Sequence, residues 1–315
     1  MEVQAQFPDE QSPMGEFRRQ ADSFRNWVTA DGGSGYPAAA GRYHLYVSWA
    51  CPWAHRTIIV RKLKQLASVI GMTVVDPIRD ERGWAFREGP GHSPDPINRF
   101  SFLSEAYKAT DPHYIGRFTV PVLWDSVTKR IVTNSDDDLM RIFNGEFNRF
   151  TQSPIDLYPD GLRQEIDELN SFIYENVNDG VYRAGFATSQ HAYERAAQRL
   201  FTALDQLDAR LATRRYLFGP ECVETDWRLC VTLIRFDAVY HGHFKCNVRR
   251  ILDYPNLFGY LKDLYQTDGI AETVNFDHSK RHYYITDDDI NPTRIVPIGP
   301  DQDLTAAHGR ERLTG

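Results

Sequence analysis

The sequence predicts a two-domain protein in which an α/β domain precedes an all-α domain, with an extended tail at the C-terminus. Its 315 residues are enough for two domains, and 42% of them are hydrophobic. Strand and helix patterns alternate in the first half of the chain, whereas hydrophobic residues follow a helical repeat beyond Pro154. The predicted parts are an N-terminal extension over 1–40, an α/β domain over 41–150, a helical domain over 151–274 and a tail over 275–315, which carries Pro292, Pro297 and Pro300.

Within these parts, each element follows from its hydrophobic pattern. The α/β domain is predicted to contain strands at 43–48 and 69–75 around a helix at 52–66, then, after an irregular stretch at 76–116, a hairpin of strands at 119–125 and 129–133 and a helix from 135. The helical domain is predicted to contain helices around 162–177, 197–211, 225–236 and 255–264.

Cys51 lies where the first predicted strand ends and the first helix begins. Pro52 suits the first helical position, because its missing N–H would have no intrahelical partner there and its φ is already helical. Cys51 is then the residue that caps the helix, and its sulfur faces unpaired backbone N–H groups and the positive end of the helix dipole. We interpret Cys51 as a nucleophilic thiolate rather than a buried, inert cysteine.

No second cysteine completes a Cys-x-x-Cys pair, since residue 54 is alanine. A disulfide formed by Cys51 would therefore be a mixed disulfide, which an external thiol has to resolve. This pattern indicates a small-thiol cosubstrate.

Pro121 interrupts an apolar strand pattern in which proline is disfavoured. A cis Val120–Pro121 bond accounts for it, and a trans proline that starts a strand is the alternative. With a cis bond, the backbone N–H and C=O of Val120 would be available for pairing with an extended thiol peptide.

The composition argues against several other classes of protein. A net charge of −7 with no long basic run argues against nucleic acid as a partner. The four cysteines lack the spacing of a disulfide framework, the N-terminus lacks a signal-like apolar core, and no apolar run is long enough to cross a bilayer. We therefore expect a cytoplasmic protein with no membrane partner. His241, His243 and Cys246 lack the second ligand pair of a zinc site, so no metal is expected.

Several long blocks of residues together resemble the glutathione transferase superfamily, and more narrowly its xi class, the glutathionyl-hydroquinone reductases. These blocks are residues 41–46, 51–56, 116–124, 180–187, 240–247 and 290–297. The resemblance extends over nearly everything from Gly15 onward. It implies a thioredoxin-like N-terminal domain, an all-helical glutathione transferase domain after it, and a homodimer.

The resemblance also implies a reaction and a set of residues. Cys51 would attack the sulfur of a glutathionyl-hydroquinone, the hydroquinone would leave with a proton, and glutathione would resolve the mixed disulfide. Tyr182 is implied as proton donor or acceptor, with Tyr240 and Tyr283 holding the cysteine ionised, tasks that suit phenol hydroxyls because these donate to a thiolate or a phenolate. The implied thiol-binding residues are Trp84, Arg117, Phe118, Thr119, Val120, Ser135 and Asp136.

One departure from the family concerns the thiol site. Where the family has Glu-Ser after the asparagine, this chain has Ser135-Asp136, followed by Asp137 and Asp138. The pair normally opens a helix and holds the γ-glutamyl arm of glutathione, and three aspartates make the site less favourable for that arm's carboxylate. Three interpretations stay open: a swapped order in which Asp136 takes the amino group and Ser135 caps the helix, a thiol without this arm such as mycothiol, and simple N-capping.

Two other functions also stay open. One is a broader cysteine-type glutathione transferase that acts as a thioltransferase or dehydroascorbate reductase. The other is a non-enzymatic protein that binds a thiol or an aromatic ligand. The three matched tyrosines and the long tail favour the narrower reductase, and the Cys51-Pro52 pair favours an enzyme. The expected substrates are a small thiol and an aromatic S-conjugate.

We expect the Cys51 thiol to have a pKa below the ~8.5 of free cysteine, because the start of a helix stabilises the thiolate. Thiolate absorbance followed against pH in the wild-type protein and in a Cys51→Ala variant isolates this group by difference. A midpoint near ~8.5 would contradict the proposed activation of this thiol.

Overall fold

The computed structural model describes residues 5–313, and these divide into two compact units. The first, here called the sheet unit, comprises Gln20–Asp156 and Thr273–His282. The second, here called the helical unit, comprises the described residues up to Arg19, Leu157–Glu272, and those from Tyr283 onward. The first four residues of the predicted extension and the last two of the predicted tail lie outside the described part.

A four-stranded sheet with the strand order β2-β1-β3-β4 forms the centre of the sheet unit. β1 pairs in parallel with β2 and antiparallel with β3, which in turn pairs antiparallel with β4. The parallel pair needs a crossover connection, and a helix, α1, supplies it. The predicted β-α-β start and the hairpin are thereby confirmed. The bounds are β1 Tyr43–Val47, α1 Pro52–Leu63, β2 Gly71–Val74, β3 Val122–Asp125 and β4 Arg130–Thr133.

Two more helices belong to this unit, α2 at Leu103–Thr110 and α3 at Asp136–Gly145. The prediction that residues 76–116 are irregular is wrong over α2. This helix has only eight residues, too few to show a helical repeat, and its start is closed by a side chain. The carboxylate of Glu105 accepts hydrogen bonds from the backbone N–H groups of Ser101 at 2.7 Å and Phe102 at 2.9 Å.

The helical unit confirms the helices predicted beyond residue 154. The helices are α4 Arg163–Ile173, α5 Gly180–Gly185, α6 Gln190–Arg210, α7 Glu224–Arg235 and α8 Leu257–Tyr265. Two of them are extended by a π-helical stretch, Tyr174–Asn178 after α4 and Phe236–Tyr240 after α7.

Within residues 5–313, no helix combines the length and the apolar character needed to cross a membrane.

The segment predicted as an extended tail begins with a further helix, α9, at Phe276–Thr286. Asn275 explains this difference, because its side-chain oxygen accepts a hydrogen bond from the backbone N–H of His278 at 2.9 Å and so caps the helix. From residue 287 to residue 313 the described chain is free of regular helix and strand, as the prolines of this segment predict.

The start of α7 depends on the buried carboxylate of Asp226. Val223 occupies the cap position and carries no hydrogen-bonding side chain. Asp226 accepts hydrogen bonds from the backbone N–H groups of Val223 and Leu217, each at 2.9 Å, and from the hydroxyl of Tyr260 at 2.8 Å. One side chain therefore joins the start of α7 to the preceding loop and to α8.

We expect Asp226→Ala to lower the free energy of unfolding by about 3 kcal/mol or more, because each buried donor left without an acceptor costs about 1–3 kcal/mol. Urea unfolding measures the change. Asp160→Ala is the matched control, since that carboxylate is 88% exposed. Equal unfolding free energies for the two variants would contradict the role given to Asp226.

Candidate active site

Cys51 occupies the position that the sequence predicts, as the N-cap residue of α1 with Pro52 at the first helical position. Its backbone is extended, with φ −76° and ψ 120°, so the side chain lies at the junction between strand and helix. The side chain is partly exposed, and its Sγ lies 3.4 Å from the carbonyl oxygen of Val120. The Val120–Pro121 bond is cis, which confirms the prediction. The partly exposed sulfur of Cys51 thus lies beside the backbone of Val120.

The other three cysteines have environments that disfavour a thiolate. Burial raises the pKa of Cys230 to about 12. Burial also raises the pKa of Cys222 and of Cys246 above the usual range. These thiols therefore stay protonated near neutral pH, which makes Cys51 the candidate nucleophile among the four.

The backbone before Val120 is held by Tyr107, a residue that the sequence analysis did not select. The Tyr107 hydroxyl donates to the carbonyl oxygen of Thr119 at 2.8 Å and accepts from its N–H at 3.1 Å. The side-chain amide of Asn134 donates to the Thr119 hydroxyl at 3.2 Å, and the ring of Phe118 packs edge-on against Tyr107 at 5.4 Å. Burial raises the pKa of Tyr107, so its hydroxyl keeps the proton that it donates.

Trp84 and Arg117, also predicted for thiol binding, lie in the same unit. The Trp84 ring is buried and stacks on the ring of His282, with centroids 4.8 Å apart and planes 24° apart. His282 is fixed in turn by Nδ1, which lies 2.7 Å from the carbonyl oxygen of Pro77. The Gln20 side chain accepts from the N–H of Arg117 at 2.8 Å and donates to its carbonyl at 3.3 Å.

The acidic start of α3 is balanced by arginines. Ser135 caps the helix, because its hydroxyl oxygen accepts from the N–H of Asp138 at 3.5 Å. Asp136 accepts from Arg56 at 2.7 Å, and this arginine side chain is only 1% exposed. Asp138 forms a two-pronged ion pair with Arg25, at 2.5 and 2.6 Å. All three aspartates therefore lie within ion-pair distance of arginines that the sequence pattern did not associate with them, Asp137 at 3.6 Å from Arg56.

The three predicted tyrosines form a cluster within the helical unit. The hydroxyl of Tyr283 lies 2.5 Å from that of Tyr182 and 3.2 Å from that of Tyr240. Burial, together with the two neighbouring phenols, raises the pKa of Tyr283 well above its ordinary value, so this phenol stays neutral. Phe244 stacks on Tyr240 at 5.5 Å and packs edge-on against Tyr182 at 5.5 Å, which gives the cluster an apolar wall.

Known proteins match this chain along nearly its whole length. A family model for the glutathione S-transferase C-terminal domain matches residues 190–263. The chain is 51% identical to the glutathionyl-hydroquinone reductase YqjG of Escherichia coli K12, over 96% of this chain and 94% of that protein. It is 47% identical to the glutathionyl-hydroquinone reductase PcpF of Sphingobium chlorophenolicum, over 94% and 93% of the two chains.

Solved structures agree with these matches. The glutathione-bound structure of YqjG superposes with a TM-score of 0.91, covering 92% of this chain and 96% of that one. The xi-class glutathione transferase of Natrialba magadii is 49% identical and superposes with a TM-score of 0.91, covering 96% of both chains. The chain therefore belongs to the glutathione transferase superfamily, in the xi class that includes the glutathionyl-hydroquinone reductases.

Proposed function

We propose that this protein is a glutathionyl-hydroquinone reductase that uses Cys51 as its nucleophile and glutathione as its cosubstrate, and that it works as a cytoplasmic homodimer. The observation that carries the proposal is the partly exposed sulfur of Cys51 at the start of α1, beside the carbonyl of Val120, in a chain 51% identical to YqjG. A reaction in two half-steps follows from a single nucleophilic thiol.

In the first half-step, the Cys51 thiolate attacks the sulfur of a glutathionyl-hydroquinone. A disulfide bond forms between the two sulfurs, and the bond between sulfur and the aromatic carbon breaks. The electron pair of that bond stays on the ring carbon, which takes up a proton to give the free hydroquinone. Tyr182 supplies this proton, with Tyr283 hydrogen-bonded to its hydroxyl at 2.5 Å and Tyr240 completing the chain of hydroxyls.

In the second half-step, the thiolate of a free glutathione attacks the glutathionyl sulfur of the mixed disulfide. Glutathione disulfide leaves, and Cys51 returns to the thiolate. One glutathionyl-hydroquinone and one glutathione thus give one hydroquinone and one glutathione disulfide. The chain requires an external thiol for this step because Ala54 stands where a Cys-x-x-Cys pair has its second cysteine.

Glutathione is proposed to bind along the backbone at Val120 and at the start of α3. Tyr107 and Gln20 hold the segment from Arg117 to Thr119 in place, so the pairing groups of the next residue are preorganised. Trp84 and Phe118 contribute aromatic surface, and Ser135 and Asp136 face the γ-glutamyl arm in this proposal.

Mass spectrometry and turnover of a Cys51→Ser variant test the proposed function. Wild-type protein mixed with a glutathionyl-menadiol conjugate, without free glutathione, should gain the mass of one glutathionyl group and release menadiol. Cys51→Ser should show neither change, whereas Cys222→Ser, which alters a thiol with a raised pKa, should behave as the wild type. Turnover that persists in Cys51→Ser would refute the proposed nucleophile.

We expect Asp136→Asn to weaken glutathione binding by roughly 10- to 100-fold, because the γ-glutamyl amino group loses a charged partner worth about 1.5–3 kcal/mol. Calorimetry measures the binding, with Asp137→Asn, a change in the exposed neighbour, as control. Thermal unfolding of both variants reports separately on the loss of the Arg56 pair. The opposite outcome has two parts: the wild-type protein binds mycothiol tightly but glutathione weakly, and Asp136→Asn leaves the glutathione affinity unchanged. That result would assign the site to a thiol without a γ-glutamyl arm.

A further inference from the structure

The N-terminal segment of the helical unit packs on α5, the helix that carries Tyr182. The Phe186 ring, one turn after Tyr182, lies 5.1 Å from the ring of Phe7 and 5.3 Å from that of Phe17. The side-chain amide of Gln11 donates to the carbonyl oxygen of Phe186 at 3.2 Å. The proposed reaction uses none of these residues, yet they fix the segment up to Arg19 against α5.

Arg19 ends this segment with its guanidinium over the ring of Tyr182, 4.5 Å from the ring centre. Its Nε donates to Asp179 at 2.7 Å, and the other oxygen of Asp179 accepts from Arg183 at 2.9 Å. The Arg19 side chain is only 17% exposed. Burial by itself would lower the pKa of Arg19, but Asp179 and the phenols of Tyr182 and Tyr174 raise it, so the cation is held in place.

Two neighbours of Tyr182, the Tyr283 hydroxyl and the Arg19 cation, act on its phenol in different ways. On one side, Tyr283 is held neutral by burial, so its hydroxyl is able to donate into the 2.5 Å hydrogen bond. On the other side, the cation of Arg19 favours a negative charge on the phenol. Within the helical unit, two further titratable groups lie close to the cluster. Tyr240 lies 3.2 Å from the Tyr283 hydroxyl, and His243, whose ring is 6.2 Å from that of Tyr283, pairs with Asp287 at 3.2 Å.

We infer that Arg19 is a positioning residue for the reductase reaction: it holds the Tyr182 ring and stabilises the phenolate that remains after Tyr182 has given its proton to the hydroquinone carbon. Tyr283 donates to the same phenolate, and solvent returns the proton afterwards. This inference rests on the proposed function and deepens it, because it assigns the N-terminal segment to the proton-transfer step rather than to thiol binding.

Titration of the Tyr182 phenol in the ligand-free protein tests whether the charge of Arg19 stabilises the phenolate. NMR of isotope-labelled tyrosines, with the Tyr182 signal assigned by its loss in Tyr182→Phe, gives the midpoint for this phenol. Arg19→Met should raise the midpoint by about 1 unit or more, because an opposite charge is removed. Arg19→Lys should restore part of the shift, and Arg18→Met, whose side chain is 73% exposed, should leave the midpoint unchanged. An unshifted midpoint in Arg19→Met would overturn the inference.

Chemical rescue tests the catalytic part. Arg19 lines a cavity of about 400 Å³ whose walls also include the exposed Arg18, Arg195 and Arg199, so a small solute can enter the space that Arg19→Ala vacates. In this variant, single-turnover release of hydroquinone should slow about tenfold or more, in line with a midpoint shift of one unit. Guanidinium, at concentrations well below those that unfold proteins, should restore much of the rate.

Urea is the control for this rescue, because it has the shape of guanidinium without the charge. Equal rescue by urea and guanidinium would overturn the charge-based role, as would a loss in Arg19→Ala confined to glutathione affinity. The two proposals fail separately. The phenol titration needs no substrate, so an unshifted midpoint refutes only the role of Arg19, whereas a wild-type protein that gains no glutathionyl adduct refutes the proposed function.

Discussion

The junction between β1 and α1 is the constraint on which the proposed chemistry depends. β1 is the strand between β2 and β3, and all five of its residues are buried, so the helix that follows starts at a defined place over the sheet. Tyr46 pairs with Val122 across the β1–β3 ladder. That register brings Val120, two residues earlier, alongside the residues that follow β1. The contact between Cys51 and the Val120 carbonyl is therefore a consequence of strand pairing and not of a flexible loop.

The same unit joins the two helix starts that make up the candidate thiol site. α1 carries Cys51 at its start and Arg56 one turn later, and α3 begins at Asp136. The Arg56–Asp136 ion pair links the two helices at a nearly inaccessible guanidinium. Breaking a buried pair by removing one partner is strongly destabilising. Asp136, at the proposed thiol-binding end of α3, therefore also has a structural task.

Local patterns were sufficient to predict much of the fold. The strands around α1, the hairpin, the cap at Cys51 and the helices α4, α6, α7 and α8 follow from periodicity and from Pro and Ser positions close in sequence. The short helix α2 was missed because its closing interaction is a single glutamate, and α9 was missed because the prolines after residue 290 dominated the pattern of the last segment.

The site was less accessible to sequence reasoning. The three tyrosines were selected through family resemblance alone, because the chain has 16 tyrosines and no local spacing rule singled out these three. Tyr107, which clamps Thr119, lies in the missed helix. Arg19 and Tyr182 are in contact although they lie 163 positions apart in sequence, and no spacing rule relates residues so far apart.

The two π-helical stretches set the rotational phase of the tyrosine cluster. A π stretch holds one residue more than the same length of α-helix, and each residue turns an α-helix by about 100°. Tyr182 follows the stretch at Tyr174–Asn178, and Tyr240 ends the one at Phe236–Tyr240. Loss of one residue from the first stretch would leave the helices intact but rotate Tyr182 away from Tyr283. The hydroxyl cluster thus depends on the length of these segments as well as on the tyrosines themselves. A single-residue deletion in the stretch at Tyr174–Asn178 would separate the hydroxyls, whereas many substitutions there would not.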